Sequence, residues 1–378
     1  MCKRTSNVLR AAAIAGIAAL LILPGPVAGQ RRVPPSALVN PEAEEAVATA
    51  RALSLRSADE TFSYFEDEVD AALARAVEMV WDPERPREPS PRTPWGHPDL
   101  RGYWISATYT PLERPAELAG KPLYAIQEAI EAFQAAVLVD AAVDPATVHY
   151  DWTEFGMDNW QSPIRPNRRT ALIVDPPDGQ IPALTSMGRT RWEAQARRET
   201  MTSRHPTERC IVGSEGPPRL PFIQQIGESR IVQTPDHVVL ITQSNSDVRI
   251  IPLGDRPQPP ADVRAWLGVS RGHWEGDTLV IETTNFHEDR TWVRPRGLGG
   301  DLQLLERLTR VADDLVLYEA TLTDPTTWEA PWTMEIPWPK MEPPGLFEWA
   351  CHEHNYGIIN VLKGAQIRAE EYEAQSQD

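Results

Sequence analysis

The chain has 378 residues and a formal charge of −17, from 37 Lys+Arg against 54 Asp+Glu. So acidic a surface repels phosphate backbones and excludes nucleic acid as a main partner. The 36 prolines and 13 tryptophans shorten helices and favour edge strands and fixed loops, which points to a β-rich fold with long ordered connections.

In chain order, the first expected element is an export signal. Lys3, Arg4 and Arg10 precede an apolar run from Ala11 to about Leu23. Pro24, Gly25 and Pro26 break it, and Val27-Ala28-Gly29 offers small residues before a cleavage point. The run is shorter than the ~20 residues that span a bilayer. Residues 1–29 therefore read as a signal peptide. The mature chain is expected in the periplasm or secreted, with no stable membrane insertion.

Residues 30–81 read as a helical N-terminal extension. Ser57 and Glu60 form a capping box, and Phe62, Tyr64, Phe65, Val69, Ala72 and Leu73 supply an apolar stripe. Residues 82–98 hold prolines among charges and read as a stiff linker. The main domain is expected over 99–370, with one internal helix at 123–139 and a tail at 371–378. Gly102-Tyr103-Trp104 opens its first strand, and a Gly-x-Trp start is seen in lipocalin-type barrels. Short apolar runs then recur with turn chemistry between them: Thr170–Val174, Arg230–Val232, Val238–Thr242, Val248–Ile251, Thr278–Thr284, Leu302–Val311, Leu315–Thr323, Trp328–Ile336 and Phe347–Glu353. That spacing predicts a mainly β fold, an antiparallel meander forming a barrel or a sandwich and possibly lipocalin-like. No glycine-rich phosphate loop or strand–helix alternation suggests a nucleotide fold.

Period-2 reading sorts the strand faces. Trp328, Ala330, Trp332, Met334 and Ile336 form one apolar face, with Thr333 and Glu335 opposite. Glu306 falls among Leu302, Leu304 and Leu308. Glu353 and Asn355 follow Phe347, Trp349 and Cys351 on one face. A carboxylate in an apolar cup has a raised pKa and can act as acid or base, which makes Glu306 and Glu353 catalytic candidates. The plainer alternative is pairing with a buried arginine such as Arg249 or Arg307. His352 or His273 would join the carboxylates as acid–base groups. Arg249, Trp274 and Asn355 are candidate substrate contacts, Arg249 as an anion clamp. No cofactor is expected. As a minor alternative, His352 and His354 share a strand face and suit a metal ion if His273 or His287 came near. Cys2 leaves with the signal, so Cys210 and Cys351 are expected to form a disulfide in an oxidising compartment.

Several segments carry a resemblance together: Thr110–Lys121, Arg168-Arg169-Thr170-Ala171-Leu172-Ile173-Val174-Asp175-Pro176-Pro177-Asp178-Gly179, Ser270–Val280, Asp324–Trp328 and Ala350-Cys351-His352-Glu353-His354-Asn355-Tyr356-Gly357. Over about residues 92–370 the chain resembles a large family of uncharacterised exported bacterial proteins. The resemblance implies export and a shared fold, and brings no catalytic residues with it. That family has glycine where this chain has His354, which weighs against a metal there. The expected function is acid–base chemistry of lyase or hydrolase type on a small organic ligand, a glycoside or plant-derived aromatic. The alternatives are a periplasmic carrier of an apolar ligand and a structural envelope protein.

Overall fold

The computed structural model describes residues 66–141, 163–195, 206–213, 216–221, 227–288, 299–341, 345–353 and 355–375. The expected signal peptide and residues 30–65 of the expected helical extension lie outside them, as does His354.

Among the described residues, ten strands form two antiparallel sheets. The smaller has the order β1 (Gly102–Ile105), β3 (Glu228–Gln233), β4 (His237–Thr242), β5 (Val248–Pro252). The larger runs β2 (Ile173–Asp175), β10 (Trp332–Pro339), β9 (Leu315–Thr323), β8 (Gln303–Ala312), β7 (Thr278–Thr284), β6 (Val269–Glu275). Each strand follows the alternation of its residues: Leu304, Glu306 and Leu308 point inward, as do Trp332, Met334 and Ile336. The strand β10 begins at Trp332, four residues after the expected start, and Trp328 makes only an isolated bridge to Leu184.

The sheets form a sandwich rather than a closed barrel. Single bridges, Leu253 to Gly272 and Trp104 to Lys340, are the links between their edges among the described residues. Gly272 allows the first of these approaches, since a Cβ there would meet Ile251 at 2.9 Å and Leu253 at 3.0 Å. Between the sheets, Trp104, Trp328, Trp332, Trp338 and Tyr318 are fully buried. Tyr318 stacks on Trp338 at 4.6 Å, and Trp328 meets Trp332 edge-on at 5.6 Å. These tryptophans are core, where each large ring contributes burial and geometry together.

Helix α1 (Glu66–Glu78) packs on α2 (Ile126–Ala141). Phe133 and Val137 of α2 cover Ile105, Ala107 and Ile164, with Leu73 of α1 against them. The proline-rich stretch expected as a linker lies against the larger sheet. Trp81 packs with Val311, Leu315 and Leu317, its N–H bonds the Pro166 carbonyl, and the Glu88 N–H bonds the Val311 carbonyl. Prolines suit such a strap because it needs few donors.

Two helices are additional to the expected elements: α3 (Ser186–Gln195) and α4 (Tyr356–Gln375). The expected final strand at Phe347–Glu353 is irregular chain leading into α4. Its apolar residues do not alternate against a partner strand, and Phe347 is 79% exposed. The Cys210–Cys351 disulfide is present, with Cα atoms 5.8 Å apart. It ties the 206–213 segment to the chain just before α4. No helix among the described residues is long and apolar enough to cross a membrane.

Candidate active site

Inward-facing polar residues meet between the sheets. Glu306 is wholly buried on β8, and Arg249 reaches it from β5 on the opposing sheet, with Nη1 3.0 Å from Oε1 and Nη2 2.6 Å from Oε2. The same guanidinium donates to Ser270 Oγ and Thr283 Oγ1, each at 3.0 Å. The Tyr318 hydroxyl donates to Glu306 Oε1 at 2.9 Å and accepts the Arg219 backbone N–H. Burial, then the Glu306 charge, pushes the Tyr318 phenol well above its ordinary range. Both Glu306 oxygens and both terminal nitrogens of Arg249 are thus occupied within the protein. Arg249 is a tie between sheets here rather than a clamp for an anion, and Glu306 is its counter-ion.

The other expected site residues scatter. His352 and Glu353 are exposed on the irregular 345–353 segment, so no strand face brings Glu353 to buried Glu306. Asn355 caps α4: its Oδ1 accepts the Ile358 N–H at 3.1 Å, and its Nδ2 donates to the Cys351 carbonyl. Trp274 faces the core from β6, half-buried, with its ring 5.4 Å from that of His97. His273 points to the outer face, where Nε2 lies 3.2 Å from Glu275. Among the described residues no group of three His, Cys, Asp or Glu side chains is placed to hold a metal.

The outer face of the larger sheet does assemble titratable groups. Cross-strand register sets Arg307 of β8 opposite Glu319 of β9, and Glu319 opposite Glu335 of β10. Two carboxylates directly opposite on one face repel, and such pairs are destabilising unless countered. Arg169 counters one. It comes from the segment before β2 and grips Glu335 in a fork, Nε to Oε1 at 2.7 Å and Nη2 to Oε2 at 2.9 Å. The backbone places that fork, because the Glu335 N–H bonds the Leu172 carbonyl. Arg307 is drawn the other way, donating to Glu275 at 2.8 Å while its Nε stays 3.9 Å from Glu319.

The two glutamates therefore have contrasting surroundings. Glu335 has 8% of its side-chain surface exposed and holds a charge-assisted bidentate pair. Glu319 is half-buried, and the cation beside it, Arg307, stays 3.9 Å away, beyond hydrogen-bond reach. Its burial, followed by the neighbouring Glu335 charge, raises its pKa above the ordinary glutamate value, against the weaker pull of Arg307, Arg87 and Arg169. A carboxylate held in an arginine fork beside another whose pKa is raised is the kind of unequal pair that separates acid from base roles in carboxylate enzymes. The strap supplies a wall here. Trp81 packs on Leu317, two residues before Glu319 on the same face, and Arg168 bonds Asp82 and Glu84.

Sequence reasoning assigned Glu335 to the outer face and stopped there. The missing signal was register. The β8–β9 turn at Asp313-Asp314 is tight enough to align Arg307 with Glu319, but the 324–331 connection to β10 hides the partner of Glu319. Asp324 organises that connection: its carboxylate accepts from Thr326 Oγ1 and Thr327 Oγ1, each at 2.6 Å, and Thr185, Gly188 and Arg191 of the α3 segment pack on the same residues.

No protein-family model, curated protein or solved structure matches the chain.

Proposed function

We propose that the protein is an exported acid–base enzyme of hydrolase or lyase type, with Glu319 as its proton donor, acting on a small neutral, hydroxyl-rich substrate such as a glycoside. The observation that carries this reading is the opposed Glu319–Glu335 pair with its single arginine fork. The row balances charge, three carboxylates (Glu275, Glu319, Glu335) against Arg169, Arg307 and nearby Arg87, which suits a neutral substrate better than an anion. The N-terminal apolar run and the Cys210–Cys351 bond support export.

In the hydrolytic form, the Glu319 carboxyl gives its proton to the leaving oxygen, and the carbon–oxygen bond breaks with its electron pair going to that oxygen. Water adds to the carbon and returns a proton to the Glu319 carboxylate. The Glu335 charge raises the pKa of Glu319 and offsets positive charge growing on the carbon.

The test is turnover of an aryl-glycoside panel by the protein starting at Gln30. Glu319→Gln should lower kcat by roughly 100-fold or more, the usual contribution of a positioned general acid. Glu335→Gln should lower the pH at which the basic limb of the profile falls. Turnover that Glu319→Gln leaves unchanged would remove Glu319 from the chemistry.

A further inference from the structure

The small sheet reverses the usual burial pattern. On β5, Arg249 and Ile251 point inward while Val248 and Ile250 point out, 48% and 63% exposed. Register extends that surface: Val248 lies opposite Ile241, Ile250 opposite Val239, and Val239 opposite Val232. Five β-branched side chains thus fill two adjacent rows across β3, β4 and β5. Among the described residues, helix α2 packs on the far corner of this outer face, at Ile105. Arg230, exposed, borders the patch with its guanidinium 5.4 Å from the Tyr103 ring centre.

We propose that this face is a self-association surface, occupied by the same face of a second copy of the chain. Charge selects the occupant. With 54 acidic residues and a net −17, most of the surface would meet its own copy as like against like. The outward positions of β4 and β5 carry no carboxylate: they are His237, Val239, Ile241, Val248, Ile250 and Pro252. A two-fold axis parallel to the strands sets β3 of each copy over β5 of the other. It preserves height along the strands, so each Arg230 comes beside Val248 of the second copy. Apolar side chains meet apolar side chains at the centre, with Arg230 at the rim.

The two rows of the patch lie about 7 Å apart along the strands and span about 10 Å across the three strands, from rise and strand spacing. That is smaller than the contact of a stable complex, so the dimer should be weak and reversible. Sedimentation of the mature protein from about 1 µM to about 500 µM covers the range of such affinities. The wild-type mass should climb toward twice the monomer value. Ile250→Lys and Val248→Lys should each keep it at monomer while circular dichroism and melting show the fold intact. Val263→Lys, an exposed apolar site on the 255–268 loop, should still dimerise. If Ile250→Lys fails to fold, Ile250→Thr keeps β-branching and should still shift the midpoint to higher concentration by at least tenfold. A wild-type protein that stays monomeric throughout overturns the proposal. So does a dimer indifferent to Ile250 and Val248, or vesicle binding that Ile250→Lys abolishes in a monomeric protein.

Discussion

Removing Arg249 should unfasten the two sheets, and the structure sets how strongly. Arg249→Met keeps most of the buried stem but leaves the wholly buried Glu306 without its bidentate partner, with only the Tyr318 hydroxyl still donating to it. Breaking a buried pair from one side costs about 3–5 kcal/mol, because the remaining charge is stranded in a poor solvent. At roughly 2 °C per kcal/mol for a domain of this size, the melting temperature should fall by about 6–10 °C. The double variant Arg249→Met/Glu306→Leu removes both charges and should recover most of the loss, since apolar groups of similar volume replace buried pairs with little penalty. Chemical denaturation of the oxidised protein gives the four corners of the cycle. If Arg249→Met alone shifts stability by less than about 1 kcal/mol, the pair resembles an exposed surface salt bridge, and the inter-sheet tie is wrong.

Two other outcomes follow from local geometry. The Cys210–Cys351 bond closes a separation of 141 residues, so reducing it should lower stability by at most about 5 kcal/mol on the chain-entropy model. Thiol titration of the denatured, unreduced mature protein should find no free thiol. Asp324 is held below the ordinary aspartate range: burial opposes this, but hydrogen bonds from Thr326, Thr327 and Gly299 outweigh it. A depressed acid contributes stability that is present above its unfolded pKa and lost as pH falls through the folded value. Asp324→Asn should therefore destabilise the protein at neutral pH and converge on wild type in acid, as denaturation midpoints across pH would show.

Most of the β architecture was legible because period-2 alternation is strong where one face packs on a core. The boundaries of β7 and β9 match the expected runs, and Leu304, Glu306 and Leu308 point inward as read. The pairing of Glu306 with Arg249 was legible as an alternative, since an arginine between Val248 and Ile250 is costly unless a carboxylate meets it. The C-terminal part was not legible. Phe347, Trp349 and Cys351 alternate by residue type, but the segment has no partner strand, and a disulfide fixes its position instead. Helix α4 has its cap at Asn355, whose side chain was read as a ligand contact. The Glu319–Glu335 opposition depends on register across a long connection and on an arginine 166 residues away in sequence from the glutamate it grips. Neither leaves a mark in local pattern.

The central claim is that burial and the Glu335 charge raise the Glu319 pKa above the ordinary glutamate value. Carbon-detected NMR titration of the Glu319 carboxyl measures this without knowledge of a substrate. Its pKa should lie above the ordinary glutamate value in the wild type and move down in Glu335→Gln, where the opposing charge is gone. By linkage, the raised acid gives stability that is full below its unfolded pKa and lost as pH rises through the folded one. A Glu319 that titrates at or below the ordinary value, or ignores Glu335→Gln, would contradict the account.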